Sequence, residues 1–336
     1  MQAVSRSRRA MLLAGAAALA GAPFIGNARA QGAEKLVYQT GWLPQPDKGG
    51  LYQALATGLY RQAGLDVEIR PGSAQMNVNA LFLAGRADFA DSDSFRVLNF
   101  VRQGLPAVAV AAFGQRSPHA LASHAGTGAD TLAALKGKPI LVSAIGRQSY
   151  WLWLKARYGY TDDQLRPYTG SLAPFLADRS LATECFVTSD PYEMQRAGAN
   201  VNVQLLADHG FRNYYGVMVT HPQLVADKPD VVQRFVDATI KGWQSYLHGD
   251  PGPANALIRQ GNPEMTDAKL AYCHDALRKY GIVASGDADT LGLGAMTDAR
   301  WKGFYDDMVA AQAMPPGLDV RRGYTLQFIN HRVGLG

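Results

Sequence analysis

The stretch from Gly49 to Gly72 reads GGLYQALATGLYRQAGLDVEIRPG, and its two parts follow different periods. Helical spacing predicts a helix over Gly50–Ala63, and the β-rich run after it predicts a strand over Leu65–Arg70. Working outward, Leu36–Trp42 reads as a strand before this unit. After it come a helix over Gln75–Gly85, a strand over Ala87–Asp91, a helix over Ser94–Gln103 and a buried strand over Ala107–Gly114. Strands alternating with helices form a βαβ series, which predicts a parallel sheet covered by helices on both faces.

A polar, Gly-rich stretch from Gln115 to Asp130 interrupts the series, which then restarts. Strands are expected at Ile140–Ser143, Arg166–Tyr168, Cys185–Ser189 and Val201–Ala207, with helices over Gln148–Tyr158 and Ala173–Arg179. A strand at Gly216–Thr220 precedes an almost wholly helical tail. In that tail Val232, Phe235, Val236, Ile240, Trp243 and Leu247 mark one face of a helix over Pro229–Leu247. Thr266 and Gly281 bracket a second helix, and Ala299–Ala313 supplies a third. At 336 residues the chain is long enough for two lobes. Crossings near Gly114–Pro118 and Ala207–Gly210 predict a discontinuous first lobe, 31–114 with 211–336, and a second lobe, 115–210, around a hinged cleft.

The formal charge of +5 would suit a nucleic-acid partner, but four of the 33 basic residues, Arg6, Arg8, Arg9 and Arg29, stand in the first thirty with no acid among them. The remainder holds 29 basic and 28 acidic residues, so nucleic acid is not expected. Ser7-Arg8-Arg9-Ala10-Met11-Leu12-Leu13 follows the twin-arginine export pattern. A short apolar run and Ala28-Arg29-Ala30 follow it, so residues 1–30 read as a signal peptide cleaved before Gln31. The mature chain is expected free in the periplasm as a monomer. Cys185 and Cys273 read as unpaired core thiols, since Cys273 keeps helical spacing with Leu270 and Leu277.

Enzyme signatures are missing: there is no G-x-S-x-G elbow, phosphate loop or H-E-x-x-H motif, and His119 and His124 read as surface-loop residues with no metal role. No catalytic residue and no cofactor are expected. Polar and aromatic residues do stand at the C-terminal ends of strands, where open α/β sheets bind ligands. Trp42, Tyr52, Ser92, Gln115, Asp190 and Tyr192 are the candidate ligand-binding set. Trp42 would stack on a ring, Asp190 accept from ring amino groups, Tyr52 and Tyr192 line the sides, and Ser92 and Gln115 supply polar contacts. A rival oxyanion ligand would use helix N-termini with Arg116 or Arg147.

Gly41-Trp42-Leu43-Pro44-Gln45, the Gly49–Gly72 stretch and Leu83-Ala84-Gly85-Arg86-Ala87-Asp88-Phe89 together resemble the NMT1/THI5-like substrate-binding proteins of ABC importers, related to the sulfonate-binding type. Ala173-Pro174-Phe175-Leu176-Ala177-Asp178 and Val187-Thr188-Ser189-Asp190-Pro191-Tyr192 resemble the same group's second-lobe phrases. Asp190 stands where the group usually has Glu, and Thr183-Glu184-Cys185-Phe186 replaces a more usual Gln-Gln-Gly-Tyr. The cysteine-rich cluster of the yeast-type enzymes is absent. The resemblance implies an α/β type II periplasmic-binding-protein fold, two lobes with mostly parallel sheets around a hinged cleft. It also implies a non-enzymatic role: carrying a small flat heteroaromatic such as a thiamine-precursor pyrimidine to an ABC permease in the inner membrane. A sulfonate, nitrate or riboflavin-type ligand, or an exported enzyme, are the alternatives.

Overall fold

A computed structural model describes residues 32–73 and 76–333. The predicted signal peptide, its Arg8-Arg9 pair and the cleavage site before Gln31 lie outside the described residues, as does Gln75. The chain begins with β1 (Glu34–Gln39), β2 (Leu65–Arg70), β3 (Phe89–Asp93) and β4 (Val108–Gly114). It then forms β5 (His119–His124), β6 (Ile140–Val142), β7 (Leu165–Pro167), β8 (Ala182–Phe186) and β9 (Val201–Leu205), and finally β10 (Tyr215–Thr220). Two five-stranded sheets result, with orders β2-β1-β3-β10-β4 and β7-β6-β8-β5-β9. The architecture is the α/β two-lobed fold of periplasmic binding proteins, and from Ala33 onward it forms one compact unit.

Each sheet is mostly parallel, with four strands running one way and one inserted antiparallel between them. β1 pairs in parallel with β2 and β3, and β6 with β7 and β8, as βαβ connections require. β10, however, runs antiparallel to β3 and β4, and β5 antiparallel to β8 and β9. Each inserted strand follows a passage of the chain between the sheets, through residues 115–118 and 206–214, so it enters from the opposite end. The two sheets thus repeat one topology, each completed by a strand that arrives after a passage. Gly114 permits the tight pairing of β4 with β10, since a Cβ there would lie 2.4 Å from the Tyr215 carbonyl oxygen.

β5 falls inside the stretch expected to be irregular, and it corrects the reading of both histidines. His124 is buried, its Nε2 2.8 Å from the Phe175 carbonyl oxygen and its ring stacked on Phe175. His119 packs against Phe186, Tyr150 and Tyr215, its Nδ1 2.8 Å from the Ser117 hydroxyl, and burial pushes its pKa down to about 4.

Local signals explain most helices. Ser94–Gln103 starts where the Asp93 carboxylate accepts from Arg96 N and stops at Gly104 in the left-handed region. The expected helix over Gly50–Ala63 is two helices, Gly49–Ala56 and Leu59–Gln62, because Gly58 adopts φ 75° between them. The helix Pro229–His248 buries the apolar stripe read from sequence. Its Phe235 centres an aromatic core, 4.4 Å from Phe89, 5.1 Å from Tyr60 and 6.1 Å from Tyr38 between ring centroids. The helix Gly49–Ala56 lies directly on it through Gly50 and Gly242: a Cβ at Gly50 would lie 2.1 Å from the Trp243 ring. Cys185 and Cys273 are both free and buried.

Candidate functional site

Near the C-terminal ends of β1, β3 and β4 the chain encloses a narrow cavity of about 20 Å³, room for about one water. Tyr38, Asp91, Phe113 and Gly114 come from the first sheet; Asp47, Lys48 and Leu51 from the turn and helix after β1; Tyr215 from β10; Trp243 from the long helix. Pro118, at the entry to the second sheet, and Thr188, after β8, close it from the other side.

Its polar feature is a buried triplet of charges. Lys48 Nζ lies 3.1 Å from Asp47 Oδ2 and 3.3 Å from Asp91 Oδ2, with the Lys48 and Asp91 side chains almost fully enclosed. The Tyr38 hydroxyl donates to Asp91 Oδ1 at 2.6 Å, Gly41 N to Asp91 Oδ2 at 3.0 Å, and the Tyr215 hydroxyl to Asp47 Oδ2 at 3.3 Å. The ammonium also stands 5.0 Å from the Tyr215 ring centroid. Burial alone would pull the Lys48 pKa down, but Asp47 and Asp91 outweigh it and hold the pKa well above its ordinary value. An enclosed ion pair is tolerated only when its remaining polar atoms are bonded, and these carboxylates collect donors from three separate elements. The triplet carries two negative charges and one positive.

The sequence-predicted residues divide around this centre. Tyr52 is buried in the helix after Lys48 but does not line the cavity; desolvation first and then Asp91 and Asp47 raise its pKa. Trp42 is half-exposed on the loop after β1 and does not line the cavity. Ser92 is buried on β3 beside Asp91, but the alternation of a strand turns it away, and its hydroxyl makes only a 3.5 Å contact with the Asp93 carbonyl oxygen. Gln115 is fully buried, and its Nε2 donates to the Ala112 and Ala295 carbonyl oxygens, so its amide ties the passage between sheets to the helical tail instead of facing the cavity. Asp190 is half-buried at the start of the helix Asp190–Arg196, where Oδ2 accepts from Phe186 N at 2.7 Å; desolvation pushes its pKa up to about 6. Tyr192 sits on that helix with its ring 5.4 Å from Tyr272.

Tyr192 thereby marks a contact between chain segments far apart in sequence. Lys269 Nζ lies 2.8 Å from Glu193 Oε1, so the helix Asp267–Lys279 is tied to the helix Asp190–Arg196 by an ion pair and an aromatic pair. The arginines of the oxyanion reading are engaged elsewhere: Arg116 donates to the Tyr280 carbonyl oxygen and pairs with Asp208, and Arg147 Nε contacts the Val142 carbonyl oxygen. Sequence reasoning missed Asp47, Lys48 and Asp91. The available signal was a charged residue, Asp91, at the centre of the strand Phe89–Asp93, one position before Ser92.

A family model described as NMT1/THI5 like matches residues 45–254, a span that includes the Asp47–Lys48 turn, Asp91 and Trp243. The chain belongs to the NMT1/THI5-like family. Among its relatives, riboflavin-binding protein RibY of Chloroflexus aurantiacus is 24% identical over 296 residues, which is 86% of this chain and 84% of RibY. The periplasmic aliphatic sulphonate-binding protein SsuA of Escherichia coli shares the fold at TM-score 0.66 and 12% identity, over 86% of this chain and 91% of SsuA. The desulfurization enzyme DszB shares it at TM-score 0.56 and 14% identity, over 88% and 97% of the two chains. One fold thus hosts both binding and catalysis, and the site has to distinguish them. Here burial raises both thiols, Cys273 to about 12, so neither is primed as a nucleophile.

Proposed function

We propose that the protein is the periplasmic solute-binding component of an ABC importer and carries a flat, uncharged or cationic heteroaromatic to a permease in the inner membrane. Thiamine-precursor pyrimidines and riboflavin are the ligands to test first, the second because RibY binds riboflavin. The observation that carries this reading is the cavity itself: aromatic walls from Tyr38, Phe113, Tyr215 and Trp243 around a charge triplet with a surplus of carboxylate. Among the described residues no arginine lines it, and its one ammonium is already bound to two carboxylates, which disfavours a sulfonate or nitrate.

In this reading residues 31–114 and 211–336 form one lobe and 115–210 the other, with the hinge in the two passages between the sheets. The cavity holds about one water, so a ring enters only when the lobes part, and contacts to both lobes then favour closure. Export as a monomer with residues 1–30 removed completes the proposal; among the described residues no helix is long and apolar enough to cross a membrane. A thermal-shift screen of the mature protein against the pyrimidine, riboflavin and alkanesulfonates tests it. A ligand at ~100 times its dissociation constant adds about 2.7 kcal/mol of stability, and stabilisation by the sulfonates alone would refute the reading.

A further inference from the structure

One side chain of the helix Asp298–Ala310 holds both passages between the sheets, 115–118 and 206–214. Arg300 Nε donates to the Arg212 carbonyl oxygen at 3.2 Å and Nη2 to the Gln115 carbonyl oxygen, while Nη1 lies 3.4 Å from Gln115 Oε1 and 3.6 Å from Asp287 Oδ2. The guanidinium stands 4.1 Å from the Tyr214 ring centroid, and only 17% of the side chain is exposed. Its partners are themselves fixed. Tyr214 N donates to Ser94 Oγ at 3.0 Å and the Tyr214 hydroxyl to Asp287 Oδ2 at 2.5 Å, and the Gln115 amide is tied to Ala112 and Ala295. None of these partners lines the cavity, yet Gly114 and Tyr215, which do, are the chain neighbours of Gln115 and Tyr214. One helical turn after Arg300, Phe304 meets the other sheet's helices: its ring centroid is 5.7 Å from Phe211, itself 5.4 Å from Trp153 in the helix Tyr150–Tyr158. Beyond Arg300 the passages are joined again where the partly exposed Arg116 pairs with Asp208.

We propose that Arg300 is the pivot of lobe closure, a positioning residue that clamps the roots of both passages so that they bend together beyond it, at 116–118 and 206–211. Two crossings joined at one end can rotate about the line between them but cannot slide independently, so the clamp gives the hinge one axis. The planar guanidinium suits this task because it donates in several fixed directions at once; a lysine ammonium keeps the charge but not that geometry. The inference rests on the import function and lobe closure proposed above.

Nitroxide labels at Arg61→Cys and Asp163→Cys, an exposed position in each lobe, test it through their distance distribution, since Cys185 and Cys273 are buried. The ligand-free protein should show narrow distances, and riboflavin, 4-amino-5-hydroxymethyl-2-methylpyrimidine or an alkanesulfonate should shift them to the shorter side. Adding Arg300→Lys should broaden the ligand-free distribution, a change that a merely structural role would not produce. Amide exchange at 206–211 should quicken about tenfold, equivalent to ~1.4 kcal/mol, while exchange in β1 stays as in the wild type. Asp287→Asn, which removes one partner of the guanidinium and leaves both carbonyls in place, should broaden the distribution less. Unchanged distances and passage exchange in both variants overturn the pivot but not the import function, as does faster exchange shared equally by β1. A wild-type distribution that none of the three compounds shifts overturns lobe closure, and the import reading and the pivot with it.

Discussion

Replacing Gly242 by alanine sets two effects against each other, and the geometry decides between them. In a helix interior the substitution gains about 1 kcal/mol from propensity. The new Cβ, however, would lie 2.2 Å from the Gly50 carbonyl oxygen and 2.8 Å from the Ala54 Cβ, both on the facing helix Gly49–Ala56 and neither able to swing aside. Overpacking of this kind costs ~1–3 kcal/mol, so Gly242→Ala should be destabilised by up to about 2 kcal/mol. Because the displaced helix follows Lys48, ligand affinity should fall as well. Gly303→Ala supplies the control: it too lies within a helix, but its new Cβ meets only the tip of Arg212, at 2.8 Å from Nη1. Arg212 can shift, at the expense of a partly exposed pair with Asp307 worth at most about 1 kcal/mol, so this variant should be neutral or slightly more stable. Urea unfolding followed by tryptophan fluorescence reads both through the midpoint at constant slope. If Gly242→Ala matches the wild type, or the two variants shift alike, the close approach of these helices is wrong.

Two further outcomes are expected. Lys269→Ala removes the Glu193 ion pair without touching the cavity, so ligand should dissociate several-fold faster, in keeping with ~1 kcal/mol, and the ligand-free protein should scatter with a larger radius of gyration; unchanged kinetics and radius would dismiss the contact as a closing clasp. Asp190 holds its proton up to about pH 6 when folded but only to ~3.9 when unfolded, so its contribution favours the fold below pH 4 and is lost as pH rises to 6. Asp190→Asn should flatten that fall, which is of order 3 kcal/mol, and identical pH slopes between pH 4 and 6 in the two proteins would contradict the burial argument.

The strands and helices that bury regular apolar patterns were legible in the sequence. Leu65–Arg70 and Ser94–Gln103 lie where periodicity sets them, and the stripe of the helix Pro229–His248 is the one read in advance. The helix Gly252–Gly261 and strand β5 were not legible, because HALASH carries two histidines and a serine that become buried only through Phe175, Phe186 and Tyr150. The antiparallel direction of β5 and β10 was hidden for a similar reason, since partners are chosen across the fold and not along the chain. At the site, Tyr52 is buried in the helix after the Asp47–Lys48 turn but does not line the cavity. Lys48 was not legible, because a lysine in a polar loop reads as solvated until two carboxylates, one of them 43 residues away, are brought to its ammonium.

The insertion of β10 between β3 and β4 also governs the order in which the molecule can be made. As the chain is synthesised, Val108–Gly114 emerges with no strand to pair with, because its sheet neighbour is Tyr215–Thr220. Throughout the intervening hundred or so residues this apolar segment, VAVAAFG, is an open edge able to recruit another nascent chain. The second sheet can complete itself while the first waits. Ribosomal pausing or truncation before Thr220 therefore leaves a half-built sheet, and the exposure to aggregation ends only when the returning strand closes it.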